Sequence, residues 1–151
     1  MKKFFMPMMV LMMVASAMSF TSCTDDAVDE FVKQVIDEPI IRGTWSNYVE
    51  DNTPRRSFRF LQLHRTDDHK GTVFCCVEVE NGKRFVTNGE WTLSKDYKTL
   101  MLKAKSGARA NQTISCEVID SKIGSLTIRF EGNLYSFNEV KSKKLDDYLN
   151  K

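Results

Sequence analysis

Apolar and polar side chains alternate with a period of two from residue 40 to residue 141, in segments separated by short turn-like sequences. Alternation of this kind is typical of antiparallel strands that have one buried face and one hydrated face. Leu100 and Leu102 share a face of one segment, for example, as do Leu126 and Ile128 in a later one. The pattern predicts eight strands, over 40–49, 56–64, 71–80, 83–93, 98–105, 110–120, 125–131 and 134–141.

The connections between these strands predict how the strands are arranged. Asn81-Gly82 lies between two alternating segments and is the strongest short hairpin signal, and Gly132-Asn133 indicates a second hairpin. The links are too short for parallel crossovers, which need about a dozen residues or more. We therefore expect an all-β, eight-stranded, antiparallel up-and-down barrel, since closure removes exposed sheet edges. The interior of such a barrel holds side chains alone or one small ligand.

The second strand departs from the alternation. Phe58 and Phe60 share one face, whereas Leu61 and Leu63 share the other. Two explanations stay open: a bulge shifts the phase, or both faces of the strand are partly covered. The predicted inner face of the barrel consists of Trp45, Phe58, Phe60, Val73, Val77, Phe85, Trp91, Leu100, Leu102, Ile114, Val118, Leu126, Phe130, Tyr135 and Phe137.

A short N-terminal helix is predicted before the barrel. Between 25 and 36 the apolar residues recur at the three-and-four spacing of one helical face, and Pro39 ends the pattern. This helix belongs to a linker over 23–38, and the barrel domain covers 39–151.

Residues 1–22 have the organisation of an export signal: two lysines, an apolar run and then small residues before Cys23. This arrangement resembles a bacterial lipoprotein signal, and Thr24-Asp25-Asp26 resembles the acidic tag of Bacteroidota surface lipoproteins. The resemblance implies cleavage after residue 22, acylation of Cys23, and anchoring in the bacterial outer membrane, at the cell surface or facing the periplasm. The alternative is an uncleaved membrane helix, but the apolar run is shorter than the about 20 residues that a span needs.

The charge of the mature chain argues against nucleic-acid binding. The full sequence has 22 Lys and Arg against 20 Asp and Glu, and cleavage would remove Lys2 and Lys3. The balance left is neutral and offers no general attraction for a phosphate backbone. The expected partner is instead the membrane, through the lipid on Cys23.

Three further cysteines follow, and an odd number cannot pair completely. Cys75 and Cys76 are neighbours on a strand, so they should face different environments. We place Cys75 with Val77 on the inner face. Either Cys75 and Cys116 form a disulfide, or they are buried free thiols, which is the favoured interpretation.

Several motifs resemble those of lipocalins. Gly43-Thr44-Trp45 is similar to the G-x-W of their first strand. The segments 90–93, 100–102 and 133–137 look like those of small lipocalin-like lipoproteins of Bacteroidota. The resemblance implies a lipocalin-like barrel over 40–140. It implies little about activity, because most of that family has no known function.

No constellation in the sequence indicates catalysis or a cofactor. His64, Asp67, Asp68 and His69 could suggest a metal site, but they belong to a short hairpin connection where such residues are ordinarily hydrated. The cysteines have no evident basic neighbour to activate them. We therefore predict a non-enzymatic protein that holds neither a metal nor a cofactor.

Two functions remain open at this point. In the first, the barrel binds a small apolar ligand, with Trp45, Phe60, Phe85 and Trp91 as candidate lining residues. In the second, those side chains fill the interior, and the loops or rim bind an envelope protein partner, as an inhibitor or a complex subunit would. An internal void would distinguish the two.

Overall fold

The computed structural model describes residues 41–65 and 72–151. These residues form eight strands followed by one α-helix. The helix predicted between 25 and 36 and the acylated Cys23 lie outside the described residues. The elements are β1 (Gly43–Ser46), β2 (Ser57–Arg65), β3 (Thr72–Glu80), β4 (Lys83–Leu93), β5 (Thr99–Gly107), β6 (Thr113–Lys122), β7 (Ser125–Phe130), β8 (Asn133–Val140) and α1 (Ser142–Leu149).

The eight strands form a closed antiparallel barrel in which each strand pairs with its neighbours in sequence. The first and last strands close the sheet, so that Trp45 lies opposite Leu61 on one side and Glu139 on the other. The predicted all-β, up-and-down, eight-stranded antiparallel barrel is therefore confirmed. Closure satisfies the backbone of both terminal strands without an exposed edge.

Two tight hairpins have glycine-containing turns, as the sequence predicts. Asn81 and Gly82 both have positive φ, at 50° and 76°, as the Asn-Gly signal predicts. In the hairpin between β7 and β8, Phe130 pairs with Asn133, so the central residues are Glu131 and Gly132 and not Gly132-Asn133. The predicted turn was thus one residue late. Glycine takes the second central position in both hairpins, where φ is 76° and 78°.

Large apolar side chains occupy the barrel interior. Phe58 is one of them, with its ring centroid 5.0 Å from that of Tyr135 and 5.5 Å from that of Phe130. The buried interior residues are Ile41, Trp45, Phe58, Leu61, Leu63, Phe74, Cys76, Trp91, Leu100, Leu102, Ala104, Ile114, Cys116, Leu126, Ile128, Phe130, Tyr135 and Phe137.

Both explanations offered for the second strand apply. The pairing of β2 with β3 shifts between Phe58 and Phe60, which is a β-bulge. Because of the shift, Phe58 and Leu61 both belong to the interior cluster. Phe60 belongs instead to a second buried cluster on the outside of the barrel, together with Val77.

The inner-face prediction was consequently wrong at Phe60, Val73 and Val77. In β3 the interior side chains are Phe74 and Cys76, so the valines point outward. Val73 is 42% exposed, whereas Val77 is buried under α1. A strand that is apolar on both faces gives no indication of which face is inside, and here the helix covers part of the outer one.

Helix α1 packs against the outer wall of the barrel. Leu145 is buried against Phe60 and Val77, and the ring of Tyr148 lies 5.1 Å from that of Phe60. The Tyr148 hydroxyl donates a hydrogen bond to Asp51 (2.8 Å), and Arg84 donates one to the Tyr148 carbonyl (2.5 Å). This helix was not predicted from the sequence, and it covers a second, smaller apolar cluster.

Candidate functional site

The two ends of the barrel differ in chemistry. We call the end that contains the β1–β2, β3–β4, β5–β6 and β7–β8 connections the mouth, and the opposite end the floor. The chain enters β1 at the floor, and α1 begins there after β8. Each end is therefore a candidate site.

Two indoles and an isoleucine close the floor. Trp45 is 1% exposed and its ring N–H donates to the Ile41 carbonyl at 2.8 Å. Trp91 is 5% exposed and donates to the His64 carbonyl at 2.9 Å. Gly43 has φ of 149°, and a Cβ there would lie 3.6 Å from the Trp45 ring. The Gly-x-Trp sequence thus has a structural role: glycine supplies a backbone conformation that L side chains rarely adopt, directly beside the indole.

A buried ion pair lies at the mouth. Glu78 is paired with Arg109 through two parallel hydrogen bonds, both of 2.7 Å, from Nε and the terminal nitrogen of the guanidinium. The side chains are only 3% and 14% exposed. Hydrogen bonding to Glu78 raises the pKa of Arg109, so the guanidinium remains charged. The Arg109 guanidinium also lies 5.3 Å from the centre of the Phe130 ring.

Around this pair the mouth forms a cleft of about 390 Å³. The Arg56 guanidinium stacks 3.7 Å above the Phe85 ring and lies 3.9 Å from Glu80. Burial raises the pKa of Tyr135, so its phenol stays neutral. The cleft is lined by Pro54, Arg55, Arg56, Glu78, Glu80, Arg109, Phe130, Glu131 and Tyr135.

The cleft carries three arginines and three glutamates and so has no net charge. Arginine and glutamate present fixed donors and acceptors, which suit recognition of a partner with polar groups of both signs. None of the lining residues is a serine, cysteine or histidine of the kind that commonly acts as nucleophile or base. The mouth therefore presents charged donors and acceptors of both signs in one cleft.

The three cysteines present in the described residues are free thiols. Cys76 and Cys116 are interior residues, whereas Cys75 faces the outer cluster beneath α1. Cys75 and Cys76 do lie in different environments, as expected, but the inner one is Cys76. Burial raises the pKa of Cys116 to about 12, and burial also raises the pKa of Cys76 and Cys75. These thiols are poor nucleophiles.

The four candidate ligand-lining residues lie in three separate places. Trp45 and Trp91 belong to the interior near the floor. Phe85 is opposite Glu78 in the ladder, on the inward side at the mouth, under Arg56. Phe60 lies outside, beneath α1. The structure therefore does not bring them together around one cavity.

Sequence reasoning missed the ion pair at the mouth. Glu78 lies on the same face of β3 as Phe74 and Cys76, which are interior residues. A correct assignment of the inner face of β3 would therefore have placed Glu78 inside. Arg109 lies in the β5–β6 connection, where an arginine is ordinarily hydrated. Only the folded barrel brings the two side chains together.

His64 is exposed, and its companions Asp67, Asp68 and His69 lie outside the described residues. Within 41–65 and 72–151, no group of three or more His, Cys, Asp or Glu side chains is placed to hold a metal ion. Over the same ranges, no helix has the length and hydropathy required to cross a bilayer.

Comparisons of this chain with protein-family models, with curated proteins and with solved structures gave no match.

Proposed function

We propose that this protein is a non-catalytic lipoprotein of the bacterial outer membrane, and that its lipocalin-like barrel recognises an envelope partner through the mouth. The observation that carries the proposal is the occupation of the interior by its own side chains. Trp45, Phe58, Phe74 and Phe137 are each no more than 1% exposed, as are the leucines between them. A bound ligand would have to displace groups whose burial stabilises the fold.

The two indole N–H groups also argue against a ligand inside the barrel. In a ligand cavity, an indole N–H is available to a ligand, but those of Trp45 and Trp91 are already bonded to backbone carbonyls. A small apolar ligand inside the barrel is therefore the less favoured of the two hypotheses. Its binding would require both side chains to move.

The mouth supports recognition of a partner. A buried ion pair contributes little net stability compared with apolar residues of similar volume, because desolvation opposes the attraction. Stability alone therefore does not explain why Glu78 and Arg109 lie at an open end of the barrel. Binding of a partner would explain it, because the pair is held in a fixed orientation with Arg55 and Arg56 beside it. Charged groups arranged in this way provide specificity for one partner.

The lipid anchor follows from the sequence, and its site lies outside the described residues. Replacing Cys23→Ala should leave the barrel folded and release it from the envelope fraction. Circular dichroism of the released protein would check folding. Sedimentation of the variant with membranes would contradict acylation at Cys23.

Intrinsic fluorescence tests the choice between interior and mouth. Titration of the mature protein with a panel of fatty acids and bile-acid-like compounds should leave the emission of Trp45 and Trp91 unchanged. A saturable shift with one compound, lost in Trp91→Phe, would favour the interior ligand instead.

Site-specific photo-crosslinking in cells tests the mouth directly. A photoreactive residue at Asn52, exposed in the β1–β2 connection, should capture one partner. The same residue at Lys95, exposed at the floor, is the matched control and should not. Arg55→Glu together with Arg56→Glu should abolish the Asn52 product. Equal capture at Asn52 and Lys95 would contradict recognition at the mouth.

A further inference from the structure

A second concave surface lies on the side wall, between α1 and the strands beneath it. Two adjoining clefts, of about 280 Å³ and 610 Å³, share Tyr48, Lys144 and Asp147. Tyr48 follows β1 and is 64% exposed, so its ring is accessible to a ligand in these clefts. We call this surface, with Lys141, Lys143 and Lys151 in its walls, the Tyr48 groove.

The Tyr48 groove concentrates positive charge in a chain whose net charge is small. Four lysines and Arg59 line the two clefts, against the two carboxylates of Glu139 and Asp147. Arg59 is occupied, because it lies 3.6 Å from Asp51 and donates to the Asn47 carbonyl at 2.6 Å. For Lys141, Lys143, Lys144 and Lys151, by contrast, no ion pair is found among the described residues. Four lysines against two carboxylates leave the groove with a net positive charge.

The mouth has the opposite arrangement, with Arg109 fully engaged by Glu78. Elsewhere on the outer wall, Lys105 pairs with Glu90 and Arg129 pairs with Glu117. Other lysines, such as Lys95 and Lys103, also have no ion pair among the described residues, so what distinguishes the Tyr48 groove is that four lysines are grouped around one exposed ring. Unpaired ammonium groups around an exposed ring favour an anionic ligand that has a face to stack.

We propose that the Tyr48 groove binds an acidic saccharide, that is, a sugar ring bearing a phosphate or carboxylate. Tyr48 stacks against the ring, the lysines of α1 hold the anionic group, and Glu139 and Asp147 accept hydrogen bonds from hydroxyl groups. Two carboxylates within the groove favour a ligand with several hydroxyl groups, because hydroxyl groups can donate to them, whereas they would repel a surface of phosphate groups alone. The groove is also concave, which fits a discrete ligand better than a flat bilayer. This site is independent of what the mouth binds.

The test is a titration of the ¹⁵N-labelled mature barrel with glucose 6-phosphate, followed by nuclear magnetic resonance. Saturable shifts should be confined to the groove, with affinity in the millimolar range that a small exposed site allows. Glucose alone and inorganic phosphate alone should each bind at least about tenfold more weakly. Equal binding of inorganic phosphate, or no saturable shift with glucose 6-phosphate, would overturn the proposal.

Variants identify the contributions of the ring and the charges. Tyr48→Ala should weaken binding about tenfold, since the stacking face is lost, and Tyr48→Phe should retain it. Lys143→Ala with Lys144→Ala should also weaken binding and reduce its dependence on salt. Lys95→Ala, at the floor, is the matched control and should behave as the parent. Unchanged binding by Tyr48→Ala would refute the stacking role and the proposal with it.

Vesicles separate the saccharide from a lipid surface. One result would assign the groove to the membrane and refute the proposal. In it, the barrel co-sediments with phosphatidylglycerol vesicles in a way that depends on Lys143 and Lys144 but not on Tyr48, and it does not respond to glucose 6-phosphate. We expect no co-sedimentation above that seen with phosphatidylcholine vesicles.

Discussion

The floor and the mouth of this barrel are closed in different ways. At the floor, Trp45 and Trp91 place large apolar rings across the opening and use the backbone to satisfy their N–H groups. At the mouth, Glu78 and Arg109 satisfy one another in a half-open cleft. The apolar rings stabilise the fold because their burial removes apolar area from water. The ion pair adds little net stability, but it fixes the orientation of two charged groups at the opening. This difference is the physical basis of the proposal that a partner is recognised at the mouth, while the floor stabilises the fold.

The largest expected effect is at the floor. Trp45→Ala should lower the free energy of unfolding by about 3–5 kcal/mol, because it removes a fully buried indole and leaves a cavity. Urea denaturation would measure it. Tyr48→Ala, three residues further and 64% exposed, is the control, and its effect should be within about 0.5 kcal/mol. A similar loss in both variants would contradict the special role of the floor.

A slightly smaller effect is expected at the mouth. Arg109→Met should cost about 3 kcal/mol, because the Glu78 carboxylate remains buried without its partner. Adding Glu78→Met should recover most of that loss, as measured by urea denaturation. The exposed Lys105–Glu90 pair provides the control, where Lys105→Met should cost less than about 1 kcal/mol. If the double variant stayed as unstable as Arg109→Met, the pair would be needed for the fold itself.

Alkaline pH should weaken the barrel through its interior thiols. Burial raises the pKa of Cys116 from 9.0 to about 12. Its contribution to stability is complete below pH 9.0 and is lost as the pH rises toward about 12, because the unfolded thiol ionises first. The slope is about 1.4 kcal/mol for each pH unit and each such thiol. Cys116→Ala should therefore flatten the decline in stability above pH 9.0, and an unchanged slope would contradict the burial of this thiol.

The smallest effect is expected for ion pairs on the outer wall. Glu117→Ala removes the partner of Arg129 (2.6 Å), but both side chains are about half exposed. The change in unfolding free energy should be below about 0.5 kcal/mol, measured as above. If Glu117→Ala lowered the free energy of unfolding as much as Arg109→Met, exposed and buried ion pairs would not differ, and the contrast drawn for the mouth would be wrong.

The sequence predicted the barrel well because alternation and turn residues act locally. Asn81-Gly82 and the leucines of β5 gave correct strands and pairing without any knowledge of the remainder. Phe60 and Val77 were misplaced because their burial depends on α1, a contact distant in sequence. The mouth could not be predicted either, since Glu78 and Arg109 meet only when β3 and the β5–β6 connection are brought together. Local signals therefore predicted the fold, and long-range contacts determine the candidate sites.

The central claim is that side chains, and not a ligand, fill the interior. Native mass spectrometry of the mature protein, extracted gently from its own envelope, tests this most directly. We expect the mass of the acylated polypeptide alone. A stoichiometric apolar adduct that persists in the Arg55→Glu and Arg56→Glu variant, and is lost on unfolding, would contradict it.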